Sequence, residues 1–169
     1  MATGSYNPVN AGSIPDAAPF RFGIVTSHWH TDITSALESG AREILLENGA
    51  KPENIISIQV PGSYELTAGA RMLYDHEKLN AIICLGCIIK GETPHFDFIS
   101  QSVANALSVL SAQLSFPFIF GVLTTLTKEQ ALERAGGKLG NKGADAAVAA
   151  MQMAALKQSF KKDTAIGFK

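Results

Sequence analysis

His95 stands at a joint in the chain. It lies in IIKGETPHFDFIS, residues 88–100, where an apolar run gives way to a helical pattern. Thr93 suits the N-cap of that helix and Pro94 its first position. His95 then falls in the first turn, among backbone N–H groups that favour an anion. The same helix end disfavours an imidazolium, so a neutral, proton-accepting ring is the expected form. Proton transfer beside a bound anion is the chemistry such a residue can do. The competing reading is a surface histidine that packs on Phe96.

Other residues of chemical interest sit at comparable joints. Ser27-His28-Trp29-His30 follows an apolar run and holds the one tryptophan of the chain. An indole in a turn is either core or a platform for a flat ring. In Pro61-Gly62-Ser63-Tyr64-Glu65 the Gly62 and Ser63 amides can hold a carbonyl or hydroxyl. Glu65 can bind hydroxyls or simply complement the start of a helix. Lys90-Gly91-Glu92-Thr93 precedes His95, and Thr124-Thr125 ends a fourth run. The stretch from Gly136 to Gly143 (GGKLGNKG) resembles a phosphate loop but lacks Walker spacing and follows a helix, so a connector is the simpler reading. Arg134, Lys138 and Lys142 around it still offer cations to a phosphate.

Two motifs are set aside. Cys84-Leu85-Gly86-Cys87 has C-x-x-C spacing, yet it lies inside a strand, where the two positions face opposite sides. His28 and His30 have no further ligand beside them, so no metal site is expected.

The elements that must position these residues are legible. Four short apolar runs, Phe22–Ser27, Ile55–Val60, Ala81–Ile89 and Phe118–Thr124, read as strands covered on both faces. Helical patterns lie between them, at about 32–48, 64–76 and 94–114, with a short helix opened by the capping box Thr127-Lys128-Glu129-Gln130 and a last one over 143–160. The stripe Ile33, Leu37, Ile44, Leu45 marks the first helix, and Ile99, Val103, Ala106, Leu107, Leu110, Leu114 the third. Strand and helix in alternation imply an α/β fold, a three-layer α/β/α sandwich with a four-stranded parallel sheet of the flavodoxin-like kind. Ligands bind outside the carboxyl ends of such strands, the edge where the unusual residues crowd.

Composition sets outer limits. The chain has 169 residues, 46% hydrophobic, with a formal net charge of −1. That suits a folded domain and gives no electrostatic footprint for nucleic acid. No apolar stretch reaches a membrane span, and the first residues do not form a secretory signal, so a cytoplasmic protein is expected. Residues 1–20 read as a low-charge arm, 21–160 as one domain and 161–169 as a frayed tail.

The segments VPGSYEL, IKGETPHFDFIS, FGVLTT, EQALERAG and GNKGADAA, in this order and spacing, resemble the lumazine synthase family over about 22–160. The resemblance implies condensation of 5-amino-6-(D-ribitylamino)uracil with 3,4-dihydroxy-2-butanone 4-phosphate, without cofactor or metal. It makes His95 the proton-transfer residue and Trp29 the ring that stacks on the pyrimidine. Ser63, Tyr64 and Glu65 would hold the ribityl chain and ring edge. Cys87, Ile88 and Ile89 would line the pyrimidine. Glu92 and Thr93 would form the phosphate turn and Arg134 would bind the phosphate. Phe120, Arg134 and Lys142 would come from a neighbouring subunit. Three positions depart from the family pattern. His30 stands where asparagine is common, Cys87 replaces a hydroxyl residue of some members, and Glu92 puts a negative charge beside an anion site. The resemblance also implies a pentamer, closing into a sixty-subunit icosahedral shell because the turn at 136–141 carries no insertion. The arm would add a strand to a neighbour's sheet, and riboflavin synthase is a candidate partner. The rival readings are a phosphate-ester enzyme with His95 as nucleophile, and an inactive flavin carrier or shell protein.

Overall fold

The structure, a computed structural model, describes residues 14–164, with side chains to 160. The first thirteen residues of the expected arm and the last five of the expected tail lie outside the described residues. Four parallel strands form the central sheet: β1 Phe22–Ser27, β2 Ile55–Val60, β3 Ala81–Ile89 and β4 Phe118–Thr125, in the order β2-β1-β3-β4. The register runs Phe22↔Ile55, Phe22↔Ala81 and Ile82↔Phe118, and it ends at Ile89↔Thr125, which extends β4 one residue past its apolar run.

Helices cover both faces. α1 (Thr31–Glu47) and α5 (Lys142–Thr164) pack on one side, α2 (Leu66–His76) and α3 (His95–Leu114) on the other, and α4 (Lys128–Leu132) follows β4. Strand alternation divides the core accordingly. Ile24, Ile83, Leu85 and Cys87 face α1 and α5. Val25, Ile82 and Cys84 face α2 and α3. Cys84 and Cys87 therefore lie on opposite faces, as a period of two requires. The buried members of the expected stripes are Ile33, Leu37 and Leu45 on α1 and Val103 and Leu107 on α3.

Several expectations are corrected. Residues 14–20, the described end of the low-charge arm, are packed against the domain. Ala17 and Phe20 are buried in the core, and the Ala17 amide donates to the Asn48 carbonyl at 2.8 Å. Phe20 meets Phe22 edge to face with ring centroids 6.2 Å apart. β2 is an edge strand with Ser57 and Gln59 exposed, so its faces are not both covered. The Gly-rich stretch is a small antiparallel hairpin, β5 (Ala135–Gly137) with β6 (Gly140–Asn141). α5 runs on to Thr164, into the segment expected to fray.

Topology decides where a site can form. From β1 the chain leaves to one face of the sheet, towards α1. From its neighbour β3 it leaves to the other, towards α3. A crevice opens at such a switch point, outside the carboxyl ends of the strands. Trp29 follows β1 and His95 follows β3.

Candidate active site

A cavity of about 520 Å³ occupies this crevice, lined by Trp29, His30, Gly62, Ser63, Tyr64, Glu65, Cys87, Ile88, Ile89, His95 and Ile99. Eight of the thirteen site residues expected from the sequence, His95, Trp29, Ser63, Tyr64, Glu65, Cys87, Ile88 and Ile89, line it, although four different segments supply them.

One wall comes from the turn after β1. The His28 amide donates to the Val60 carbonyl at 2.8 Å, and Thr31 Oγ1 donates to the His28 carbonyl at 2.7 Å. His30 then adopts the left-handed conformation, φ 59° and ψ 51°, and its carbonyl accepts from the Ile33 and Thr34 amides to start α1. Histidine is one of the few non-glycine residues enriched there, though the conformation still carries strain. This sharp reversal leaves Trp29 70% exposed, a ring face presented to the crevice instead of the core.

The second wall is the turn Gly62–Glu65, a 3-10 turn over Ser63–Glu65 that runs into α2. A β-carbon on Gly62 would stand 3.0 Å from Glu65 Oε2 and 3.8 Å from Trp29 Cδ1. The carboxylate and the indole edge thus lean over the same bare backbone. Tyr64 is exposed and Ser63 buried. The floor is the end of β3. Burial pushes the Cys87 thiol up to about 11 and the Cys84 thiol up to about 12, so neither is a nucleophile near neutrality.

His95 is the first residue of α3, exposed at the cavity mouth. The N-cap, however, is Pro94 (φ −66°, ψ 0°), with no side-chain hydrogen bond closing the end. Thr93 is not the cap. The proline occupies the cap itself, one position earlier than its usual place, which puts Thr93 on the exposed turn. Glu92 is exposed beside it, and neither is in the lining of this cavity.

Phe120, Arg134 and Lys142 lie elsewhere. They line a second cavity of about 830 Å³ between β4, α3 and α5, together with Ser100, Gln130 and Asp145. The hairpin mounts its two cations side by side, because the Lys142 amide donates to the Arg134 carbonyl at 2.8 Å. Arg134 Nη1 donates to the Gln130 carbonyl at 2.9 Å, and Lys142 Nζ meets Asp145 Oδ2 at 2.6 Å. Gln130 and Asp145 carried no sequence signal for this work. Gln130 read only as the end of a capping box. Its amide does donate to Thr127 Oγ1, but its own Oε1 accepts from the Leu126 amide.

Among the described residues no group of three His, Cys, Asp or Glu could hold a metal ion, and no helix is long and apolar enough to cross a membrane.

A family profile described as 6,7-dimethyl-8-ribityllumazine synthase matches residues 19–158. Curated proteins of that name are similar over most of their length. One from Parabacteroides distasonis is 46% identical, over 90% of this chain and 97% of its own. One from Cytophaga hutchinsonii is 48% identical, over 86% and 91%. One from Bacteroides fragilis is 50% identical, over 79% and 93%.

Proposed function

The chain belongs to the 6,7-dimethyl-8-ribityllumazine synthase family, and from that premise we propose that its two cavities are complementary halves of one active site, joined between neighbouring subunits. The enzyme is a transferase of riboflavin biosynthesis. It condenses 5-amino-6-(D-ribitylamino)uracil with 3,4-dihydroxy-2-butanone 4-phosphate and releases 6,7-dimethyl-8-ribityllumazine, phosphate and water.

The pyrimidine half is the crevice at the switch point. Trp29 stacks on the flat ring, the Gly62–Glu65 turn holds the ribityl chain and ring edge, and the ends of β3 supply backbone groups below it. Glu92 and Thr93 flank the phosphate through the turn's backbone, with the Glu92 side chain directed away. Phe120, Arg134 and Lys142 of a neighbour close the site over the phosphate ester. The observation that carries this reading is the separation itself. One cavity holds His95 and the stacking ring, another holds the cations, and both are open on the same chain.

The chemistry divides to match. The uracil 5-amino group attacks the ketone and water leaves to give an imine. Loss of a proton from the adjacent carbon drives out phosphate and leaves an enol, which takes up a proton at its terminal carbon and becomes a new ketone. The ribitylamino nitrogen then closes the ring on this new carbonyl, with loss of a second water. Each step relays protons, and His95 beside the reacting atoms supports that relay. The cations stabilise the leaving phosphate. Holding two substrates in one site lowers the barrier further, an effect worth up to roughly 7–11 kcal/mol.

A site shared between subunits needs a ring. The exposed apolar residues Met72, Phe98 and Val109 are consistent with one, and the open edge of β2 offers a place for a neighbour's arm. We take the ring as a pentamer that closes into a sixty-subunit shell in the cytoplasm, with riboflavin synthase as partner; light scattering that finds only pentamers would refute the closure. The function itself is tested by mixing the two substrates and following lumazine absorbance. Absence of product in the assembled enzyme would overturn it.

A further inference from the structure

We infer that Asn141 is a positioning residue, fixing the Arg134–Lys142 cation pair to the middle of α1 through its side-chain amide. This rests on the reading of those cations as the phosphate-facing half of the site. Asn141 Nδ2 donates to the Ala36 carbonyl at 2.8 Å, across 105 residues of chain. Its Oδ1 accepts from the Gly143 amide at 2.8 Å and the Ala144 amide at 3.3 Å. One side chain therefore caps α5 and anchors it to α1.

Two glycines make the anchor possible. A β-carbon on Gly40 of α1 would collide with the Asn141 side-chain amide, whose Oδ1 would stand 2.7 Å away. A β-carbon on Gly143 would stand 2.6 Å from the Leu37 carbonyl carbon. Glycine inside a helix is unfavourable, yet α1 carries one where Asn141 docks. The two helices thus meet backbone to backbone. Lys142 follows Asn141 directly, and its amide donates to the Arg134 carbonyl, so the anchor reaches both cations within one hydrogen bond. At its N-terminal end, α1 is capped by His30 and follows directly on the Trp29 turn. Each subunit lends its pyrimidine half to one site and its phosphate half to another. The α1–Asn141 link sets the geometry between those two loans, and hence the fit of every site in a ring.

A cap alone would explain the helix start but not the bond to Ala36. Asn141→Asp separates the two roles. A carboxylate keeps the acceptor for the α5 amides and suits the helix dipole, while it has no donor for the Ala36 carbonyl and faces it with negative charge. Gly40→Ala attacks the same link from the other side, since its methyl displaces the amide while alanine favours the helix. Both variants are compared with wild type as the assembled enzyme, by steady-state kinetics in each substrate and by thermal melting. The expected result is a rise of about tenfold in the apparent KM for the butanone phosphate, the scale of one lost polar contact. The KM for the pyrimidine should stay within about twofold, and Asn141→Asp should melt within a few degrees of wild type. A wild-type enzyme that forms no lumazine would overturn the family reading and this inference with it. A wild-type enzyme that turns over, with Asn141→Asp unchanged in both constants or raised equally in both, would overturn this inference alone.

Discussion

Replacing Gly86 by alanine should damage pyrimidine binding from beneath the site. Gly86 lies within β3, and its missing side chain is the space into which the Gly62–Glu65 turn packs. An added β-carbon would stand 2.6 Å from Ser63 Oγ, 2.9 Å from Leu66 Cδ1 and 3.4 Å from Ser27 Oγ. Ordinary contact begins near the last of these distances, so the first two contacts are too close by several tenths of an ångström. Ser63 can turn its hydroxyl away. Leu66 is fully buried and cannot. The first turn of α2 must therefore shift outward, carrying Ser63, Tyr64 and Glu65 with it. Overpacking of this kind costs about 1–3 kcal/mol. Restricting the unfolded chain offsets about 0.4–1 kcal/mol of that. At the middle of both ranges the net loss is about 1.3 kcal/mol, which corresponds to a melting temperature lower by roughly 3–5 °C at equal protein concentration. The displaced turn should weaken pyrimidine binding about tenfold, the equivalent of one polar contact. Titration of the pyrimidine or the lumazine product, read by quenching of the single tryptophan, measures this directly. A variant that melts lower but binds the pyrimidine as wild type would refute the role of the turn. Unchanged melting and binding together would refute the packing argument.

Three further outcomes follow from the same geometry. His95→Ala should reduce turnover by roughly 10²–10⁴-fold, towards the low end because several steps share the barrier, with pyrimidine affinity nearly unchanged; unaltered turnover would remove His95 from the chemistry. Arg134→Ala should raise the apparent KM for the butanone phosphate far more than that for the uracil, and Arg134→Lys should restore only part of the loss; equal rises would make Arg134 an interface residue. Trp29→Phe should bind the pyrimidine nearly as wild type and Trp29→Ala more weakly, because stacking needs a ring face; equal affinities in calorimetry would place the indole away from the ligand.

The strands were legible because they are dense in β-branched residues and bounded by turns. Phe22–Ser27, Ile55–Val60 and Ala81–Ile89 end where the apolar runs end. Pairing with Ile89, not composition, carries β4 on to Thr125. The β5–β6 hairpin was hidden because its strands are two or three residues long and mostly glycine, with no alternation to read. Tertiary hydrogen bonds define it instead, from Lys142 to Arg134 and from Leu139 to Glu133. Ala17 and Phe20 read as part of the arm because their neighbours are small and polar; the end of α1 and the ring of Phe22 give them a place. Thr93 and Pro94 were each acceptable at adjacent cap positions, and local preference could not fix which residue held the cap. At the site, the crowding of Trp29, Ser63–Glu65 and His95 followed from strand ends and the switch point. The second cavity did not, since nothing local links Phe120 to Arg134 and Lys142. The hydrogen bond from Asn141 to Ala36 spans most of the chain and leaves no pattern in either segment.

The central claim is that one active site takes His95 from one subunit and Arg134 from its neighbour. It is tested most directly by co-assembly. His95→Ala and Arg134→Ala enzymes are dissociated, mixed in equal amounts, reassembled and assayed at a butanone phosphate concentration far below the raised KM of Arg134→Ala, where each variant alone is nearly inactive. With random mixing, about one quarter of the shared sites receive an intact His95 half and an intact Arg134 half. The account predicts recovery of about that fraction of wild-type activity, absent when either variant is reassembled alone. A mixture no more active than its two components, with co-assembly verified, would mean that each site is built within one chain and would contradict the account.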